Sequence, residues 1–267
     1  MESSPGERAA AIGRRVAEKA ALAPALLPAW PETKRATPSA FLRSALFSAV
    51  QSKDRIWMDG VILASQEGIT VRFTGKRLNQ EDLTLWETLV HLAKEQPLGN
   101  VCEFTAYDIL KTMGLGDGGI ERKILHEGII RLGACMVEIL VGNQKTFFSS
   151  LVESGIKDDD TGHYRIQLGR ALIKLYAQTT WVDFEQRAGL RRKPLAQFLH
   201  GYYSSHKIPF PVKIETLHQF CGSKNKRLSN FKILTEAALK ELVKIGFLES
   251  YAINRDRVEV RKKIYRD

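Results

Sequence analysis

The order of segments in the last third of the chain is the strongest constraint on its fold. Pro194 suits a first helical position, ahead of an apolar stripe of Leu195, Phe198, Leu199, Tyr202 and Tyr203. A strand-like PFPVK, a short helix IETLHQF and the turn CGS come next. A longer helix then runs from about Lys224 to Ile245, with Leu228, Phe231, Leu234, Ala238, Leu242 and Ile245 on one face and Gly246 at its end. FLESYAI and RVEVRK alternate apolar with polar residues around the turn Asn254-Arg255-Asp256, the pattern of a β-hairpin.

An earlier stretch repeats this order. A strand pair around WMDGVILASQEGITVRF precedes a helix over Asn79 to Lys94, where Trp86, Leu89, Leu92 and Ala93 recur at helical spacing. VCEF then leads to Thr105-Ala106-Tyr107-Asp108, whose hydroxyl and carboxylate can satisfy the free N–H groups of a helix start. That short helix ends at Gly114. After GLGDGG a second helix runs from about Gly118 to Leu132, with Ile120, Ile124, Leu125, Ile129 and Leu132 on one face. ACMVEILV and KTFFSSLVES follow as two alternating segments, then HYRIQL. Helix, strand, helix, turn, helix, strand, strand, met twice, is the order of a helix-turn-helix closed by a hairpin wing. The expected fold is therefore α+β, with two tandem winged-helix domains over 41–180 and 181–267. Residues 1–40 are Ala-rich and hold five of the nine prolines, so they read as a flexible N-terminal arm with a helix near Arg8 to Leu22.

Charge separates the two halves. The whole chain carries a formal +10, yet residues 186–267 hold 18 Lys and Arg against 7 Asp and Glu, while residues 51–185 hold 15 against 19. That asymmetry points to a polyanion as partner of the C-terminal part. Cys102, Cys135 and Cys221 lie far apart and form no CxxC pair, which argues against a zinc site or a disulfide framework and for a reducing cytoplasm. MESSPGERAA lacks the positive then apolar start of a secretory signal, and no run approaches 18 apolar residues, so neither export nor a membrane partner is expected.

The helix from Lys224 is the candidate reader, because the second helix of a helix-turn-helix enters the major groove with its N-terminal residues nearest the bases. Lys224, Asn225, Lys226, Arg227, Ser229, Asn230 and Lys232 stand there; Arg and Lys match guanine O6 and N7, and Asn matches adenine N6 and N7. Cations at the positive end of a helix cost about 0.3–1 kcal/mol each, a penalty that a neighbouring phosphate cancels. The bland alternative is a solvated basic face. In the hairpin, Arg255, Arg257, Arg261, Lys262 and Lys263 suit a grip on phosphate or the minor groove, though some must simply be solvated. Arg191, Arg192 and Lys193 fit the same DNA face or an ordinary basic loop equally well. In the first unit Arg122, Lys123, His126 and Arg131 alternate with Glu121 and Glu127, so contact there should be weaker and mostly to backbone.

Nothing points to catalysis. Gly114, Gly116 and Gly119 match GxGxxG, but the dinucleotide fingerprint follows a strand and here a helix precedes, which leaves a turn. No GxxxxGK[ST] occurs, and the six histidines form no HExxH or metal-ligand cluster. Catalytic residues, cofactor and metal are expected to be none.

RSALF at Arg43 to Phe47, FTG with Leu78 and Trp86, AKEQPLG at Ala93 to Gly99, FTAYDIL, RLGA and the long block YYSSHKIPFPVKIETLHQFCGS resemble the TrfA-type plasmid replication initiators, over Trp30 to Lys263. The resemblance implies a tandem winged-helix protein that binds direct repeats (iterons) in double-stranded origin DNA. It also implies help in opening an adjacent AT-rich segment, with single-stranded DNA there as a further target, and recruitment of the host initiator and replicative helicase. A monomer–dimer equilibrium is implied too, with monomers as the origin-binding form. It assigns Lys224 to Lys232 to the recognition helix of the second unit and Gly118 to Leu132 to that of the first. Ala21-Leu22-Ala23-Pro24-Ala25 stands where family members can carry a QLxLF-type motif for the sliding clamp, a departure that counts against clamp binding through that motif. Two other readings remain open from the residues: a winged-helix transcriptional regulator or autorepressor, and a scaffold whose basic surface meets an acidic protein.

Overall fold

The computed structural model describes residues 27–51, 55–94, 100–142 and 145–263. The expected helix near Arg8 to Leu22 and the Ala21–Ala25 segment lie outside them. The chain is mixed helix and strand, built on two hydrophobic cores, one drawn from Trp30 to Val182 and the other from Leu190 to Val258.

The first core begins with β1 (Lys34–Pro38), α1 (Ser39–Leu42), β2 (Phe47–Ser48), β3 (Trp57–Leu63), β4 (Ile69–Lys76), β5 (Leu78–Asn79) and α2 (Gln80–Ala93). Asn79 sets the start of α2, because its side-chain oxygen accepts from the Glu81 and Asp82 amides at 3.0 and 3.3 Å and Asp82 accepts in return from the Asn79 amide. Leu83, Trp86, Leu89 and Val90 of α2 are buried, so this helix is the central post of the core. Then come β6 (Val101–Thr105), α3 (Ala106–Thr112), α4 (Gly119–Gly133), β7 (Met136–Val141), β8 (Lys145–Ser149), β9 (Val152–Lys157), β10 (His163–Leu168), α5 (Arg170–Ile173), a 3-10 turn over Lys174–Gln178 and β11 (Thr179–Asp183). Thr105 and Asp108 cap α3 reciprocally, as their spacing predicts.

Two expectations fail in this half. ACMVEILV and KTFFSSLVES hold three strands rather than two: β7 and β8 pair with each other and join β3 and β4 in a four-stranded sheet of order β3-β4-β7-β8, while β9 begins within the second segment. The hairpin against β6 is β9–β10, with Tyr164 opposite Phe104 and Ile166 opposite Cys102. Alternation marks β7 as a strand with Val137 and Ile139 inward, but a period of two says nothing about which partner receives them. Nor does the arm reach residue 40. Lys34–Pro38 pair antiparallel with Thr179–Asp183, and Trp30 is buried with its indole N–H donating to His91 Nδ1 at 3.0 Å. Pro28 and Pro31 precede β1 and Pro38 is its last residue.

α6 (Phe184–Gly189) leads into the second core, which is formed by α7 (Pro194–Ser204), β12 (Val212–Lys213), α8 (Ile214–Phe220), α9 (Leu228–Lys244), β13 (Leu248–Asn254) and β14 (Arg257–Lys262). Pro194 opens α7 as expected, and its buried Phe198, Leu199, Tyr202 and Tyr203 meet Phe231, Leu239 and Leu242 of α9 in one cluster. β12, β14 and β13 make a three-stranded sheet under them. Arg255, at a φ of 57°, closes the β13–β14 turn.

The two cores are joined by polar contacts, the most buried of them an ion pair. Arg187 and Glu87 are each about 1% exposed and lie 3.1 Å apart. Burial pushes the Glu87 carboxyl upward, while Arg187 and a 2.6 Å hydrogen bond from Thr37 hold it against that. Arg43 donates to the Ser205 hydroxyl and carbonyl, and Arg191 to the Gly114 and Met113 carbonyls. The Gly114 glycines therefore sit in a helix-to-helix turn that also receives the second unit.

Candidate nucleic-acid interface

The turn CGS fixes the approach to α9. Its Cys221 carbonyl accepts from the Ala49 amide at 2.7 Å, and its Gly222 carbonyl accepts from the Arg77 guanidinium at 2.5 Å. Gly222 has a φ of +61°, and a Cβ there would run into that guanidinium and the Ser48 side chain. Both conformation and space require glycine. His218 Nε2 hydrogen-bonds the Asn225 carbonyl at 2.8 Å, and the Asn225 amide donates to Ser223 Oγ, so the segment after the turn is held as well.

α9 starts at Leu228, not Lys224, with Arg227 as an extended N-cap residue. Lys224, Asn225, Lys226 and Arg227 therefore precede the helix, and only Ser229 and Asn230 of the expected readers lie in its first turn. The unfavourable placement of cations inside a positive helix end does not arise. The helix end is nevertheless open: Arg227 supplies no side-chain cap and no acid stands in the first turn. Lys226 and Arg227 are exposed and, among the described residues, form no ion pair. The absence of a side-chain cap and of a first-turn acid, beside cations with no ion pair among the described residues, favours an anion at this end.

The hairpin stands beside the helix. Lys232 donates from Nζ to the Arg255 carbonyl at 2.8 Å, which ties the second turn of α9 to the hairpin tip. Arg255 and Arg257 are exposed there. Arg261 is paired with Glu249 across the hairpin at 2.9 Å. Lys262 turns inward: its ammonium donates to the Tyr203 and His206 carbonyls at the end of α7, and burial lowers its pKa. Lys262, expected at phosphate, is engaged here by carbonyls at and just beyond the end of α7. Lys193 is paired with Glu241 at 2.6 Å, and Arg191 is committed to the Met113 and Gly114 carbonyls. Arg192, with a φ of 64°, is exposed in the same loop.

In the first unit the corresponding helix, α4, meets its own acids. Arg122 is forked onto Asp117, both contacts at 2.7 Å, and Lys123 lies 4.0 Å from Glu127. Arg131, expected to project outward, reaches back to the buried Asp82 at 2.7 Å. His126 hydrogen-bonds Tyr164 on β10. The expected apolar face is rotated too: Ile120 and Ile124 are exposed, while Leu125, Gly128, Ile129 and Leu132 are buried. Sequence reading also missed Arg77, whose role as the anchor of the CGS turn has no local signal.

All three cysteines are buried free thiols, with burial pushing Cys102 and Cys221 up to about 12 and Cys135 to about 11, so they are unreactive. Among the described residues, no group of three or more His, Cys, Asp or Glu could hold a metal ion, and no helix is long and apolar enough to cross a membrane.

The architecture is that of domains 2 and 3 of RctB. Crystal structures of those domains, one of selenomethionine derivatives, align with TM-scores of 0.57 and 0.54 at 13% and 14% identity, covering 86% and 82% of this chain and 99% and 95% of theirs. Sequence then gives the family: the TrfA protein family model matches residues 15–262, and the chain belongs to that family. A plasmid replication initiator protein TrfA of Escherichia coli is 27% identical over 241 residues, covering 87% of this chain. The match spans 63% of the length of that relative.

Proposed function

We propose that this chain is a plasmid replication initiator that binds direct repeats at its origin. Each half works as a winged helix, α4 with β9–β10 in the first and α9 with β13–β14 in the second, and the second is the main reader of DNA. Lys226, Arg227, Ser229 and Asn230 face the major groove, with Lys224, Asn225 and Lys232 beside them; Arg255 and Arg257 hold the flanking backbone. The chain then helps to open the AT-rich segment and brings in the host initiator and helicase, acting in the bacterial cytoplasm without catalytic residues of its own. Family membership supports the activity. The observation that carries the DNA reading is the uncapped start of α9 flanked by unpaired Lys226 and Arg227.

Binding of the full chain to duplexes carrying the short direct repeats near its gene, against scrambled duplexes, tests this. Affinity should fall steeply with salt through counterion release and should favour the repeats at every salt concentration. Equal affinity for both would end the sequence-reading proposal. Replication of a minimal plasmid carrying those repeats, with and without the protein in trans, tests the initiator role separately.

A further inference from the structure

The outermost stripe of α9 is partly apolar. Phe231, Thr235, Ala238 and Leu242 are buried on one side, and the opposite line runs Ser229, Ile233, Ala237 and Lys240, all exposed. Ile233 is 67% exposed, the most exposed apolar side chain of this helix, and lies one turn beyond the Ser229–Asn230 start. A scattered surface isoleucine needs no explanation. This one stands in the middle of the face that a major groove would meet, where a purely phosphate-binding helix would carry cations or small polar groups. Lys226 and Arg227 lie toward the helix start, and Lys240, paired with Glu236 at 2.9 Å, follows beyond. An apolar patch that follows uncommitted cations suits a polyanion that carries an apolar group. In the major groove the only such group on an unmodified base edge is the C5-methyl of thymine.

We propose that Ile233, with Ala237 beside it, reads thymine methyl groups in the bound site, so that specificity rests on apolar contact as well as hydrogen bonds. The inference rests on the reading of α9 as the DNA-recognition helix.

The test removes the methyl alone. Duplexes enriched by the full chain from a random-sequence pool are resynthesised with deoxyuridine in place of each thymine in turn, which keeps every hydrogen-bonding edge. At one or two positions the change should weaken binding about fourfold, the worth of one buried methyl-sized group. Ile233→Ala should weaken binding to the thymine duplex by a similar factor and lose nothing further on the deoxyuridine duplex. A chain indifferent to every deoxyuridine overturns the inference and leaves sequence reading intact. So does a deoxyuridine penalty that survives unchanged in Ile233→Ala. If Ile233→Ser alters only self-association in sedimentation, the patch belongs to a second copy and the inference is likewise overturned. Failure to enrich any sequence would instead remove the DNA-reading role on which it stands.

Discussion

α4 and α9 are each a longer helix that follows a short helix and a turn, α3 before α4 and α8 before α9. Both carry basic residues early. In α4 those residues meet acids of their own half, Arg122 on Asp117, Lys123 near Glu127 and Arg131 on Asp82, and Glu121 stands in the first turn. At α9 the first turn holds no acid, and Lys226 and Arg227 pair with none of the described residues. A phosphate approaching α4 must compete with existing ion pairs, whereas one approaching α9 meets cations that gain a partner. The lesson is that a count of basic residues on a helix is a poor measure of its capacity for DNA; what matters is how many are uncommitted.

The largest way to disturb this arrangement is at the junction. Arg187→Met leaves Glu87 buried without its nearest cation and should cost about 3–5 kcal/mol in urea denaturation. A loss under about 1 kcal/mol would mean that the two cores hold together without the pair, and that the second unit is not braced by the first there. Next, Arg227→Ala or Asn230→Ala should cost about 1–3 kcal/mol for the preferred duplex and little for a scrambled one, measured by fluorescence anisotropy. Arg122→Ala, whose side chain is already committed, should leave the affinity for either duplex essentially unchanged. Equal losses at Arg227 and Arg122 would break the comparison.

Lys262→Ala separates structure from binding within the second unit. It removes the donor to the Tyr203 and His206 carbonyls and should cost about 0.5–1.5 kcal/mol of stability, with the salt dependence of DNA binding unchanged. The smallest effect expected is on that salt dependence. Lys226→Ala should reduce the slope of log affinity against log salt by about 0.9, the contribution of one phosphate contact, and Lys123→Ala should leave it unaltered. A slope that responds to both would place α4 on the DNA as firmly as α9.

Much of this was readable along the chain. The stripe of α2 and the capping pair Thr105–Asp108 are signals within a few residues, and the helices formed where those signals lie. Pro194 and Gly246 bound α7 and α9 for the same reason. α9 starts four residues later than its basic residues suggest, because Lys and Arg are compatible with a helix while the segment after the turn is held at Asn225 by His218 and Ser223. At the candidate site the sequence singled out Lys226, Arg227 and Asn230, but could not tell them from Lys262 and Arg131. Those two look equally basic in print and differ only in having a carbonyl or carboxylate within reach.

By itself, then, the sequence determined the local elements and the concentration of positive charge in the last third, since periodicity, caps and composition act over one or two helical turns. Tertiary structure alone decided that Lys34–Pro38 would join a strand 149 residues away at Asp183, that β9–β10 rather than β7–β8 would flank β6, and that Arg77 would hold Gly222 in place. An alternating strand specifies a buried face without naming its partner, and a cation specifies a charge without naming its acceptor. Both choices are made only when distant segments are packed together.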